Sequence, residues 1–188
     1  VLTVSVEING KTMDVNLLMD SGADCSVVDV GALKELGVTD LEKMNYTVQG
    51  VGGKSSTHKS SRHTIILGSK TSDFRCEVSV WAYATPVGNS LPPDWSKYKR
   101  HCDHLKDLPI QAPVKGKPIQ VLIGTKNSDL FSALQPSRRG QSGEPIATEF
   151  PLGWACMGPA TSADVVRKYN LLTLEREDQA HVQHFEDV

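Results

Sequence analysis

The chain has 188 residues and a mass of 20.5 kDa, with 39% hydrophobic and 22% charged residues, the proportions of a globular chain rather than a disordered one. Twenty Lys+Arg against 22 Asp+Glu give a net charge of −2, without the basic stripe of a nucleic-acid binder. No apolar run approaches the roughly 20 residues of a membrane span, and the first residues lack the n- and h-regions of a secretory signal. No nucleic-acid or membrane partner is therefore expected of this domain. The opening on Val1 rather than Met leads to the expectation of a segment cut from a longer polypeptide.

Residues 1–80 read as β structure. Val4, Val6 and Ile8 alternate with Thr3, Ser5 and Glu7, the period of a half-buried strand. Asn9-Gly10 is a hairpin turn signal, and a second strand runs from Thr12 to Met19, ending at Asp20-Ser21-Gly22. Leu33 to Leu36 before Gly37 predicts a short helix with a glycine stop. Further strands are expected at Tyr46–Val48, Thr64–Leu67 and Phe74–Trp81, with Gly50-Val51-Gly52-Gly53 as a glycine-rich tip.

Residues 86–118 hold six of the ten prolines and read as an insertion on the surface of a β domain. Within them Trp95, Tyr98, Cys102 and Leu105 fall at i, i+3, i+7 and i+10, which predicts one short amphipathic helix. Ile119–Ile123 is an apolar strand closed by Gly124. A helical turn from Asn127 to Leu134 follows, then closing strands at Ile146–Thr148 and Leu152–Met157. Beyond Thr161 acidic residues outnumber basic ones, and residues 161–188 read as a linker tail toward a missing downstream domain.

The run Leu17-Leu18-Met19-Asp20-Ser21-Gly22-Ala23-Asp24 is the most informative. A strand ends in a carboxylate, and the glycine two residues on lets backbone amides approach it. Two such loops side by side would set two carboxylates in contact, unable to ionise together and so sharing one proton. One then serves as base toward water and the other as acid toward a carbonyl oxygen. Read alone, Asp-Ser-Gly is more often a plain strand-ending turn than a catalytic motif. Three features shift the balance: the N-terminal two-strand meander, the Gly50–Gly53 tip, and Val121-Leu122-Ile123-Gly124 before a helical turn.

With these motifs in this order, the chain resembles the retropepsins, the aspartic proteases of retroviruses and retrotransposons. Asp20, Ser21, Gly22 and Ala23 match the family's catalytic motif, Gly50 to Gly53 its flap, and Leu122-Ile123-Gly124 its apolar-apolar-Gly motif. Val48 to Gly53, Leu91-Pro92 with Trp95, and Pro151-Leu152-Gly153-Trp154 are similar to the protease region of Bel/Pao-type retrotransposon polyproteins. The resemblance covers roughly residues 1–160. It implies an all-β closed barrel with a glycine-rich flap and one short C-terminal helix, here carrying the helical insertion at about 86–118. It implies Asp20 as the catalytic acid/base, Ser21, Gly22 and Ala23 as the active-site loop, and Asp24, Gly50, Val51, Gly52, Gly53 and Ile123 as substrate-binding residues. No metal and no cofactor is implied. Because the chain carries one Asp-Ser-Gly, the active unit is expected to be a homodimer acting on peptide, naturally its own polyprotein. The expected location is cytoplasmic, or within virus-like particles. Two departures stand out. The position after Ile-Gly, commonly Arg in retroviral enzymes, is Thr125 with Lys126 next, and the insertion lengthens the domain.

Other residues read more blandly. His101, Cys102 and His104 lack the spacing of a zinc set. His58 and His63 read as exposed loop residues. Cys25 reads as a packed thiol near the active-site loop, and Trp154 as a core or interface anchor. The four cysteines are spread singly, which favours reduced thiols in a cytosolic compartment. Ser21 lacks the Gly-x-Ser-x-Gly elbow of a hydrolase nucleophile. Two alternatives to the polyprotein-processing enzyme remain open: a silent retropepsin-fold assembly module, and a host-derived cellular protease of the same fold.

Overall fold

A computed structural model describes residues 1–39, 43–49, 53, 55–89 and 91–158. The first hairpin forms where the turn chemistry puts it. β1 (Leu2–Ile8) and β2 (Lys11–Met19) pair antiparallel from Ile8↔Lys11 to Leu2↔Leu17. Asn9 and Gly10 take φ values of 52° and 74°, the doubly left-handed turn that matches the twist of two strands. β1 buries every second residue, as its alternation predicts.

The remaining barrel strands are β3 (Val27–Asp29), β6 (Arg62–Gly68), β7 (Arg75–Tyr83) and β9 (Ile119–Ile123). They close in the order β1-β2-β9-β3-β7-β6, with β6 returning to β1. β2 and β9 run parallel, with Met19 opposite Ile123, and β3 lies antiparallel to β9 and parallel to β7. Val4, Val6, Val15, Leu17, Ile65, Leu67, Val80, Val121 and Ile123 fill the interior. Helix α1 (Val30–Glu35) is capped by the Asp29 carboxylate accepting the Ala32 N–H. It presses Ala32 and Leu33 onto that core and stops at Gly37, where φ is +83°.

Three strands lie outside the sequence expectation: β3, the second strand of a hairpin, and the opening of the insertion. β5 (Ser55–Ser60) pairs with β4 (Met44–Gln49), and β8 (Pro86–Asn89) makes the start of the proline-rich stretch a strand. His58 and His63 lie on β5 and β6 rather than in loops. Their rings meet the Ser56 and Ser61 hydroxyls at 2.8 Å.

The insertion differs from the expected single helix. α2 (Trp95–Tyr98) gives way to 3-10 turns at Lys99–His101 and Asp103–Leu105, separated by Cys102 in an extended conformation (φ −124°, ψ 108°). The apolar spacing is satisfied by successive tight turns instead. Nor is the stretch merely laid on the surface. Trp95, Cys102, Leu105, Leu108 and Ile110 make a second core with Ala147, Trp154 and Cys156 of the C-terminal hairpin β10 (Ile146–Phe150) and β11 (Gly153–Met157). That hairpin is a two-stranded sheet of its own, outside the barrel, and Trp154 is one of its buried anchors.

Asn16 ties the end of the insertion back to the barrel. Fully buried on β2, it accepts from Val114 N–H (2.8 Å) and donates to the Lys117 carbonyl (2.9 Å). The expected helical turn after β9 is a 3-10 run, Thr125–Phe131, kinked at Asn127. Among the described residues no helix is long and apolar enough to cross a membrane. The tail expected at 161–188 lies outside the described residues.

Candidate active site

Parallel pairing of β2 and β9 brings two distant chain segments to one point. Asp20 follows the last residue of β2, and its N–H donates to the Ile123 carbonyl at 2.9 Å. The chain then turns sharply. Ala23 N–H reaches the Asp20 carbonyl (3.3 Å), and Gly22 N–H donates to Asp20 Oδ1 at 2.9 Å. A Cβ at Gly22 would stand 3.3 Å from that oxygen, so the small residue allows the close amide approach. Asp20 is half-buried at this turn, while Ser21, Gly22 and Asp24 are exposed.

The loop is braced from behind by the start of the 3-10 run. Thr125 donates from both N–H (2.8 Å) and Oγ1 (3.1 Å) to the Ala23 carbonyl, and Lys126 N–H donates to the Asp24 carbonyl (3.2 Å). The buried Ser26 hydroxyl accepts from Gly124 N–H (3.1 Å) and from Asn127 Nδ2 (2.7 Å). Gly124 is packed so tightly that a Cβ would lie 2.6 Å from the Cys25 carbonyl oxygen and 2.7 Å from that of Ala23.

An open cleft of about 550 Å³ lies over the loop. Gly22, Ala23, Asp24 and Cys25 line it together with Tyr46 to Gln49 of β4. Val27, Leu122, Tyr83 and Pro86 complete it. The β4–β5 hairpin is seated on β7. Tyr46 stacks on Trp81 with ring centroids 4.8 Å apart, and His58 meets Tyr83 edge-on at 5.5 Å. The Tyr46 hydroxyl is pushed above its ordinary pKa, first by burial and then by the hydrogen-bonded Cys25 thiol, with Tyr83 and Asp24 adding to it. It stays protonated and able to donate.

The structure brings Asp20, Ser21, Gly22, Ala23 and Asp24 together at one turn, beside the cleft that Gly22, Ala23 and Asp24 line. Of the glycine-rich tip, Gly50, Val51 and Gly52 lie outside the described residues. Gly53 has φ +74° and nothing near its Cα in the direction of a side chain. Ile123 has its side chain wholly buried in the barrel core, and its carbonyl accepts from Asp20 N–H. Strand alternation turns the neighbouring Leu122 into the cleft instead. Lys126 points its ammonium at the Cys25 sulfur, 3.6 Å away. Cys25 lines the cleft, and Tyr46, Tyr83 and Pro86 also belong to it although the sequence reading passes over them. Cys102 is buried in the second core, and His104 bonds the Pro145 carbonyl. Among the described residues no group of three His, Cys, Asp or Glu is arranged to hold a metal ion.

A family model described as aspartyl protease matches residues 4–126, from β1 through the turn that braces the Asp20 loop, and the chain belongs to that family. No curated protein and no solved structure matches it.

Proposed function

We propose that this chain is a retropepsin-like aspartic endopeptidase in which Asp20 is the catalytic residue, and that it works as a homodimer. The observation that carries this reading is the Asp20 turn. One carboxylate is held by the Gly22 amide beside an open cleft walled by a β-hairpin, with no second Asp-Ser-Gly in the chain. As is established for aspartic proteases, two carboxylates in contact share a proton and act together on one water. A second copy of Asp20 supplies the missing half. The unprotonated member takes a proton from water as its oxygen attacks the peptide carbonyl, and the protonated member neutralises the developing oxyanion. Collapse then delivers a proton to the leaving nitrogen. No covalent intermediate forms.

In this reading Ser21, Gly22 and Ala23 shape the loop, and Asp24 and the Gly50–Gly53 flap hold substrate backbone. Leu122, Val27 and Val48 offer apolar surface to side chains flanking the scissile bond. Residues 1–160 form the protease domain and 161–188 a tail toward further polyprotein. The natural substrate is the parent polyprotein of a Bel/Pao-type retrotransposon, processed in the cytoplasm or in virus-like particles.

The test is hydrolysis of a peptide library by wild type and Asp20→Asn, with sedimentation of both. Asn keeps the acceptor for Gly22 N–H, so the variant should fold and cleave nothing. Wild type should show a bell-shaped rate against pH with its maximum below neutrality, because only the singly protonated pair is competent. A species near twice 20.5 kDa is expected with bound inhibitor. A strictly monomeric enzyme, or unimpaired cleavage by Asp20→Asn, refutes the mechanism.

A further inference from the structure

A second cavity, of about 360 Å³, adjoins the cleft, and Cys25 lines both. Its walls come from separate parts of the chain. Arg62, at the start of β6, lies opposite Trp81 of β7, while Lys126 and Asn127 come from the 3-10 run after β9. They meet because β3 pairs with both β7 and β9.

The chemistry of this cavity is one-sided. Two cationic side chains line it, and among the described residues no acidic one does. Arg62 Nε donates to Ser79 Oγ at 2.7 Å, which fixes one edge of the guanidinium and leaves its other N–H groups unspent. Lys126 Nζ has the Cys25 sulfur at 3.6 Å. Neither has a carboxylate partner among the described residues, whereas Lys70, Arg75, Lys117 and Arg138 elsewhere on the surface each pair with one. Asn127 gives one amide N–H to the Ser26 hydroxyl, and among the described residues the charged groups that line the cavity are both cationic.

We propose that this cavity is a carboxylate-binding subsite that makes the enzyme favour peptides with a Glu or Asp some positions from the scissile bond. The inference rests on the protease reading for the identity of the ligand as a peptide. An extended peptide places same-face side chains about 6.7 Å apart, so one leaving the cleft along the Cys25 wall presents a side chain to the adjoining cavity. A guanidinium and an ammonium lining one cavity give a positive potential matched to a carboxylate. The cavity is larger than a carboxylate and open, so the ion pairs stay partly hydrated. The preference is therefore several-fold rather than absolute.

The experiment separates this subsite from the catalytic assignment by measuring binding. Fluorescent decapeptides with a central apolar pair carry Glu, or Gln, at each flanking position in turn. They are titrated into the full chain bearing Asp20→Asn, with and without Arg62→Gln and Lys126→Gln together. At one position Glu should bind about three- to tenfold tighter than Gln at roughly 0.05 M salt, and the two should converge near 0.5 M. The double substitution should bring the Glu/Gln ratio to about one. Lys126→Glu should transfer the preference to a Lys peptide at the same position. Equal binding of Glu and Gln everywhere, a ratio that survives the double substitution, or binding of inorganic phosphate without any peptide preference overturns the proposal. Cleavage of the Gln peptides by wild type is scored separately. Its absence sinks the protease reading while a Glu preference in binding still stands, and the converse result removes only the subsite.

Discussion

Gly124 offers the sharpest test of how the Asp20 loop is held. Its φ of −98° is open to any residue, so the demand for glycine is purely one of space. A methyl group there would meet the Cys25 carbonyl oxygen at 2.6 Å, that of Ala23 at 2.7 Å and the Asp24 carbonyl carbon at 2.8 Å. All three are backbone atoms, which no rotamer change can move aside. Relief needs the two segments to part by about half an ångström, and overpacking of this kind costs about 1–3 kcal/mol. The same separation stretches the 2.8 Å bond from Thr125 N–H to Ala23 and the 3.1 Å bond from Gly124 N–H to Ser26. Asp20 lies within the displaced loop, so Gly124→Ala should lower kcat/KM by about 10- to 100-fold, on the scale known for sub-ångström misplacement of reacting groups. Urea unfolding and peptide hydrolysis measure the two effects. Gly10→Ala serves as the contrast. It meets nothing within 4 Å but must hold φ at +74°, so it should lose about 1 kcal/mol of stability with turnover unchanged. Wild-type stability and kcat/KM in Gly124→Ala would refute the steric account of the loop.

Three further outcomes follow from the packing. Asn16→Ala strips the buried partner from Val114 N–H and the donor from the Lys117 carbonyl, and should cost about 2–3 kcal/mol in urea unfolding. A loss below about 0.5 kcal/mol would show that the insertion is not tied down there. Burial raises the Cys156 thiol to about 11, above its unfolded value of 9.0. Between those two values the unfolded chain has lost a proton that the folded chain keeps, so stability should fall as pH rises from about 9 to about 11, by roughly 2–3 kcal/mol. Cys156→Ala should flatten that alkaline slope, and a slope that persists unchanged assigns it elsewhere. Trp154→Ala empties the centre of the second core and should destabilise by about 3–5 kcal/mol, seen as a lower denaturation midpoint. A near-neutral result would mean that the insertion and hairpin do not share a core.

Much of this protein is written in short stretches of sequence because its causes are local. Asn9-Gly10 makes a hairpin since only such residues tolerate two successive left-handed conformations. β1 shows its buried face through alternation, and β9 spans the same residues, Ile119–Ile123, that its apolar run marks. The turn that holds the Asp20 carboxylate is equally local, since Gly22 lies two residues away. What tertiary structure decided depends on partners far along the chain. β5 reads Ser-Ser-Thr-His-Lys-Ser and has no apolar face of its own. It is a strand because β4 pairs with it along its whole length. β3 is three residues long and is recognisable only between β9 and β7. The Trp95–Leu105 stripe was legible as apolar spacing, but whether a continuous helix or a chain of tight turns satisfied it was settled by the hairpin it had to cover. Composition marks Leu122 and Ile123 alike as apolar. Which of them faces the cleft follows from the register of β9 against β2, since one residue of slip would exchange the two faces. The meeting of Arg62 with Lys126 has the same origin. Residues of like charge in distant segments share a cavity only because barrel closure sets β3 and β7 between β9, which Lys126 follows, and β6, which carries Arg62.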